Sequence, residues 1–314
     1  MQSPQTKWPG IAMALASAIL FSTLAIFVKL AYQYQLTVNA VVVLRMTFGS
    51  IFLWLTLLFN RRERASWKIA ARDWPALFGG VVLIYGISEL TYFQGLQLMP
   101  AGVAIFLIYL YPVLVVFIAY LLYREPPTRR KIGVALICFL GCAILSFEPD
   151  GRFSFSGWGV FLILFSALCI ALYSAFSQKL LKNYSPTVIS TWTLTPVGLI
   201  FLMIDSPNLS GYLKFPIAAW LIMLGAAFFA TFVSRILFFR AVARIGAAHT
   251  ALVCTIEPVS TALLANWILG EQMSDRQMLG AALILGGLVM LEWPVKEKFK
   301  LEPKAENFAT PLSN

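Results

Sequence analysis

Apolar residues run along this chain in ten long blocks separated by short polar breaks. The blocks are Pro9–Tyr32, Leu36–Phe59, Trp74–Leu98, Ala101–Tyr123, Lys131–Phe147, Gly157–Leu180, Thr187–Ile204, Pro216–Ala241, Ala247–Leu269 and Gln277–Trp293. Each approaches the ~20 residues that carry an α-helix across a ~30 Å hydrocarbon layer. The pattern predicts an all-α integral membrane protein with ten transmembrane helices. The first block is too long, and too closely followed by others, to read as a cleaved signal peptide.

The pattern also repeats. Gly95–Glu125 and Ala241–Glu271 align without a gap at an offset of 146, with Ala101 on Ala247, Pro112 on Pro258, Val113 on Val259, Ala119 on Ala265 and Glu125 on Glu271. Ser17, Phe27 and Gly49 fall on Ser166, Phe176 and Gly198 at an offset of 149, and Gly133 falls on Gly280 at 147. A fixed-offset echo argues for internal duplication. The expected organisation is a short N-terminus (1–8), a first five-helix repeat (9–147), an external link (148–156), a second five-helix repeat (157–293) and a mixed-charge tail (294–314). The composition of that tail predicts disorder. An odd number of helices per repeat makes the second copy enter the membrane from the opposite side, so the two repeats are expected to be inverted.

Charge orients the chain. With the N-terminus inside, the inner segments carry eighteen Lys and Arg, against Arg152, Lys214 and Arg276 outside. That asymmetry is a strong positive-inside signal. It predicts both termini in the cytoplasm; a bacterial inner membrane is the expected location. It also explains the formal charge of +10 without nucleic acid, which is not an expected partner. Composition agrees: 60% of residues are hydrophobic and 12% charged, against roughly 45–50% and about 25% in soluble domains.

Cys138, Cys142, Cys169 and Cys254 lie inside apolar runs and read as small buried hydrophobes. His249, the single histidine, has no nucleophile or metal partner near it in sequence. No Gly-rich phosphate loop with a lysine is present. Enzymatic, cofactor and metal chemistry are therefore not expected. No two glycines lie four apart, so no GxxxG dimerisation face exists, and a monomer or weak dimer is expected.

Phe93-Gln94-Gly95-Leu96, Pro112-Val113, Glu125 and Gly133-x-Ala-Leu-Ile, echoed by Glu257-Pro258-Val259, Gly270-Glu271 and Gly280-Ala281-Ala282-Leu283-Ile284, give the chain a family likeness. Over about residues 8–293 it resembles the EamA-type members of the drug/metabolite transporter superfamily. In overall character it resembles their aromatic-amino-acid exporter branch. The resemblance implies ten helices in two inverted repeats and export of small metabolites, often amino acids. Alternating access around a midplane cavity fits such repeats. Efflux of cationic or aromatic drug-like compounds is the alternative.

Charges inside spans mark candidate sites. Arg45 lies roughly 14 Å into the second block and Glu257 roughly 15 Å into the ninth, at ~1.5 Å per residue. Neither has a charged counterpart in the other repeat: Arg45 falls on Leu194 and Glu257 on Tyr111. Glu89 and Arg235 occupy equivalent places with opposite charge. They could bridge each other, serve as gate or substrate contacts, or find separate partners. Tyr85, Ser88, Glu89 and Tyr92 form one helical stripe, and Thr250, Cys254, Glu257 and Thr261 another. Tyr109, Tyr111, Tyr173 and Trp192 could supply aromatic walls. A guanidinium (Arg45), a carboxylate (Glu257) and ring faces suit a zwitterion with an apolar side chain. Pro112 and Pro258 should kink their helices and act as hinges.

Overall fold

A computed structural model describes residues 4–61, 63, 67–99, 101–124, 128–146, 156–270 and 273–292. Most of the 148–156 link, the 294–314 tail, Pro100, Glu125 and Glu271 lie outside those residues. Eleven helices carry the fold: α1 (Pro4–Tyr32), α2 (Val38–Phe59), α3 (Ala71–Leu96), α4 (Ala101–Ile108), α5 (Tyr111–Tyr123), α6 (Arg129–Ser146), α7 (Gly157–Leu180), α8 (Pro186–Ile204), α9 (Ile217–Ile245), α10 (Ala247–Leu269) and α11 (Asp275–Glu292). A short helix, Leu209–Tyr212, sits between α8 and α9.

Seven of these helices, α1, α2, α3, α7, α8, α9 and α10, are long and apolar enough to cross a membrane. The other three expected spans are helical but interrupted or short. The fourth is divided into α4 and α5. α6 and α11 have 18 residues each, and charge at their ends lowers their hydropathy. α1 begins five residues before the expected Pro9, with Pro4 at its first position, where the missing N–H costs nothing.

Local chemistry sets several boundaries. The Thr37 hydroxyl caps α2 by accepting from Ala40 N at 3.2 Å, and the Ser185 hydroxyl caps α8 by accepting from Val188 N at 3.2 Å. α10 ends in left-handed Gly270 (φ 70°); the matching position after α5 is Arg124, also left-handed (φ 53°). Glycine reaches that conformation without the strain a side chain adds.

The duplication is visible in the packing. Ser17 of α1 and Ser234 of α9 each donate to the other's backbone carbonyl, at 2.8 and 3.0 Å. Ser88 of α3 and Ser166 of α7 do the same, at 3.4 and 2.9 Å. Ser17 is the sequence equivalent of Ser166, and Ser88 of Ser234, so the two clasps are one contact made twice. Close approaches repeat likewise. Gly10 lies against Ile245 and Gly159 against Leu98 and Met99. Gly141 fits against the backbone of Gly280, and Gly287 against Cys138, which seats α6 on α11 within one chain.

Polar contacts sort the helix ends into two groups. One end of the bundle brings Lys7 to Glu292 (3.0 Å), Tyr184 to Asp73 (2.6 Å), Gln178 to Ala247 (2.6 Å) and Lys182 over the Tyr123 ring (5.9 Å). We call it the basic end. The opposite end centres on buried Asp205, which accepts from Asn208 (2.8 Å), Asn39 (3.4 Å) and the Tyr212 hydroxyl.

Candidate functional site

Glu89, Arg235 and Glu257 each come after a stretch of irregular helix. α3 contains a π-helical stretch, Phe78–Leu83, and α9 an equivalent one, Ala226–Val233. The wider turn rotates the rest of the helix about its axis, and such stretches recur at functional sites. Tyr85 and Glu89 lie just beyond the first stretch, and Arg235 just beyond the second.

Arg45 on α2 is 4% exposed and donates Nη2 to Glu89 Oε2 at 2.9 Å. This resolves the open pairing of Glu89: its partner is Arg45, not Arg235. The Arg45 guanidinium, expected to receive a substrate carboxylate, already has a carboxylate partner inside the bundle. Removing one member of such a pair strands the other charge. Glu89→Gln keeps the shape and a hydrogen-bond acceptor, so we expect a loss of about 1–3 kcal/mol in stability. Thermal unfolding in detergent measures it, and an unchanged melting temperature would contradict the pairing.

Arg235 is held differently. Its Nη2 donates to the Tyr173 hydroxyl at 2.7 Å, and its guanidinium carbon lies 4.2 Å from the centre of the Tyr85 ring and 5.6 Å from that of Tyr173. The two rings are 5.0 Å apart. Cation–π contact of this kind holds a guanidinium without neutralising it. Among the described residues no carboxylate lies within 4.0 Å of Arg235, and its Nε makes no hydrogen bond.

Glu257 opens the second half of α10. Pro258 removes the hydrogen bond to Cys254, and a 3-10 turn, Cys254–Ile256, breaks the helix just before Glu257. Pro112 acts at the matching place, where α4 ends at Ile108 and α5 starts at Tyr111. Glu257 thus sits on the first turn of a helical segment, with its own N–H bonded to the Cys254 carbonyl. Tyr109 shares a buried cluster with Val259, two residues beyond Glu257, and its ring lies 6.1 Å from that of Tyr111. No cation lies within 4.0 Å of Glu257 among the described residues. Tyr92 lies one turn beyond Glu89 on α3, with its ring 5.4 Å from that of Phe93.

Two expectations change. Trp192 does not wall this site. It lies toward the basic end in a cluster with Trp54, Trp67 and Trp74, stacked on Trp67 at 6.1 Å and donating Nε1 to the Trp67 carbonyl at 3.1 Å. Entry of α8 from the basic end puts its first turns there. The stripe Thr250, Cys254, Glu257, Thr261 is also divided. The Thr250 hydroxyl bonds the Gly246 carbonyl at 2.8 Å, and the Cys254 thiol points to Ala14 of α1 at 3.7 Å. Ser88 likewise leaves its stripe for the clasp with Ser166.

One cluster has no sequence signal. His249 Nε2 lies 2.5 Å from Glu292 Oε1, whose other oxygen accepts from Lys7. These residues are 43 and 285 positions apart, and only the return of α11 to the basic end joins them.

Comparison with known proteins places the molecule. Residues 8–147 and 157–293 each match the EamA-like transporter family, and the chain belongs to that family. It is 26% identical to an uncharacterized transporter of Archaeoglobus fulgidus over 91% of this chain and 98% of that protein. It is 25% identical to a probable terminal-alkyne amino-acid exporter of Streptantibioticus cattleyicolor, over 79% of this chain and 81% of that one. A crystal structure at 20% identity superposes with a TM-score of 0.74 over 90% of this chain and 96% of the other, a likeness of fold. The protein is thus a multi-pass integral membrane transporter of small molecules and not an enzyme.

Proposed function

We propose that this transporter exports small zwitterionic metabolites, amino acids first and aromatic ones among them, by alternating access. One observation carries the reading: among the described residues no acid lies within 4.0 Å of Arg235 and no base within 4.0 Å of Glu257, and both stand in one bundle with Tyr85, Tyr92, Tyr109 and Tyr111. Two uncompensated charges of opposite sign inside a membrane protein are costly. An amino acid offers the complement of both. Its carboxylate meets Arg235, its ammonium meets Glu257, and its side chain packs on rings. The Arg45–Glu89 pair holds α2 against α3 beside that site. The similarity to a probable amino-acid exporter supports the same substrate class.

The ten helical segments act as ten spans in two inverted repeats. The reciprocal serine clasps support this, since each joins a helix of one half to a helix of the other. The excess of Lys and Arg at the basic end supports placing that end, with both termini, in the cytoplasm of a bacterial inner membrane. The breaks before Pro112 and Pro258 then act as paired hinges around the site.

A second reading, efflux of cationic or aromatic compounds, is supported by Glu257 standing among Tyr92, Tyr109 and Tyr111. Protein in liposomes loaded with one amino acid should drive counterflow of labelled amino acids from a panel. Flux of quaternary ammonium compounds without any amino-acid flux would overturn the first reading in favour of the second.

A further inference from the structure

A groove of about 410 Å³ opens on the outside of the bundle at its basic end, between the start of α3 and the ends of α5 and α7. That volume falls within the roughly 300–1,000 Å³ of small-molecule sites. Its walls are apolar, from Gly79, Gly80, Ile84, Leu122 and Phe176, and Lys179 stands at its rim. Gly79 leaves open space where a Cβ would be, while Gly80 abuts the Phe176 ring, so the floor is formed by the paired glycines.

The surroundings say what the groove faces. Phe78, Leu83, Leu121 and Leu122 beside it are exposed apolar residues, as expected of a surface turned to lipid. Lys179 and Lys182 stand at the same level, and the Lys182 ammonium lies 5.9 Å from the ring of Tyr123, which also lines the groove. Among the described residues no carboxylate lines it. A zwitterion would find no partner there for its ammonium. An anion with a long apolar tail matches every wall. Lysines at the end of a membrane helix stand at headgroup level and attract anionic lipid.

We propose that this groove is a binding site for one anionic phospholipid, with an acyl chain along Gly79 and Gly80 and the phosphate between Lys179 and Lys182. Phe176, one wall of the groove, lies one turn along α7 from Tyr173, which holds Arg235. The bound lipid therefore packs directly behind the Arg235 cage. The proposal concerns lipid binding alone and stands whichever substrate the transporter carries.

Native mass spectrometry of the purified full chain tests it, with phosphatidylglycerol and chain-matched phosphatidylcholine as probes. The wild type should retain one phosphatidylglycerol at concentrations that leave phosphatidylcholine unbound. Gly79→Leu, which fills the open space, and Lys179→Glu, at the rim, should each weaken retention about tenfold. Lys131→Glu makes the same charge change at the basic end outside the groove and should leave retention unchanged. Thermal unfolding in phosphatidylcholine alone reports folding of each variant, and Lys179→Glu decides the matter if Gly79→Leu does not fold. Wild-type retention by Lys179→Glu, or an equal loss in Lys131→Glu, overturns the proposal. So does displacement of the lipid by glycerol phosphate, which would make the site one for a free anion.

Discussion

Arg235→Gln should abolish amino-acid counterflow in proteoliposomes while leaving the protein folded. The guanidinium sits against Tyr85 and Tyr173 and has no acid within 4.0 Å among the described residues, so its removal strands no protein carboxylate. The substitution removes the positive charge and the planar pair of donors that a carboxylate takes bidentately. Truncating one partner of a desolvated charge pair costs roughly 2–5 kcal/mol, about thirtyfold or more in apparent affinity. Arg235→Lys keeps charge without the fork and should recover only part of that, because a point charge cannot make two parallel bonds. Tyr173→Phe, which loses one orienting hydrogen bond, should cost about 1 kcal/mol. Losses that diminish from Arg235→Gln through Arg235→Lys to Tyr173→Phe, read as a raised KM for counterflow, identify Arg235 as the carboxylate ligand. Wild-type counterflow by Arg235→Gln would remove it from the site.

That Arg45 has a carboxylate partner, while none lies within 4.0 Å of Arg235 among the described residues, is not legible in the chain. Both lie deep in apolar runs, and the asymmetry between repeats favours Arg45 because its counterpart is Leu194. Asymmetry measures only whether a charge is repeated. It says nothing about whether the charge is neutralised, which depends on where α2 crosses α3. The Arg45–Glu89 contact joins residues 44 positions apart on helices whose relative rotation is set by the π turn in α3. No propensity or periodicity announces a π turn. The aromatic walls show the same limit. Tyr85, Tyr92, Tyr109 and Tyr111 are candidates because they lie near charged residues along the chain or at repeat-equivalent positions. Trp192 has no such mark, and an aromatic residue in an apolar run can face lipid, core or site.

The fold is more readable, for a physical reason. Burial in lipid forces every backbone polar group into helix, so block length and hydropathy nearly determine the elements. Duplication supplies the rest. Ser17 and Ser166 are visible as sequence echoes, and their partners Ser234 and Ser88 turn that echo into two matched contacts. The prolines are informative because their effect is local: Pro112 and Pro258 each break the helix within one turn of where the missing hydrogen bond falls.

Glu257→Gln gives the second large effect and separates two roles that a carboxylate in this position can play. Glutamine preserves the shape and strands no cation within 4.0 Å among the described residues, so folding should survive. The negative charge is lost. If Glu257 receives the substrate ammonium, counterflow should fall at least thirtyfold at every pH, because the pairing energy lost is roughly 2–5 kcal/mol. We expect that result, since Glu257 adjoins Val259, which packs in one cluster with Tyr109 and Tyr111, and has no cation of its own within 4.0 Å among the described residues. A pure coupling role predicts a different pattern. Counterflow, which needs no net proton movement, would persist, while accumulation driven by an imposed pH gradient would vanish. Measuring both in the same liposomes distinguishes the roles, and wild-type behaviour of the Glu257→Gln variant in both assays would exclude either. The comparison with Tyr111 sharpens the inference. The two repeats place a tyrosine and a glutamate at equivalent positions after equivalent breaks, so Tyr111→Phe should change neither counterflow nor its pH response by more than a fewfold. The first repeat's carboxylate, Glu89, is already taken by Arg45, so the seat we propose for an ammonium group is Glu257 on α10.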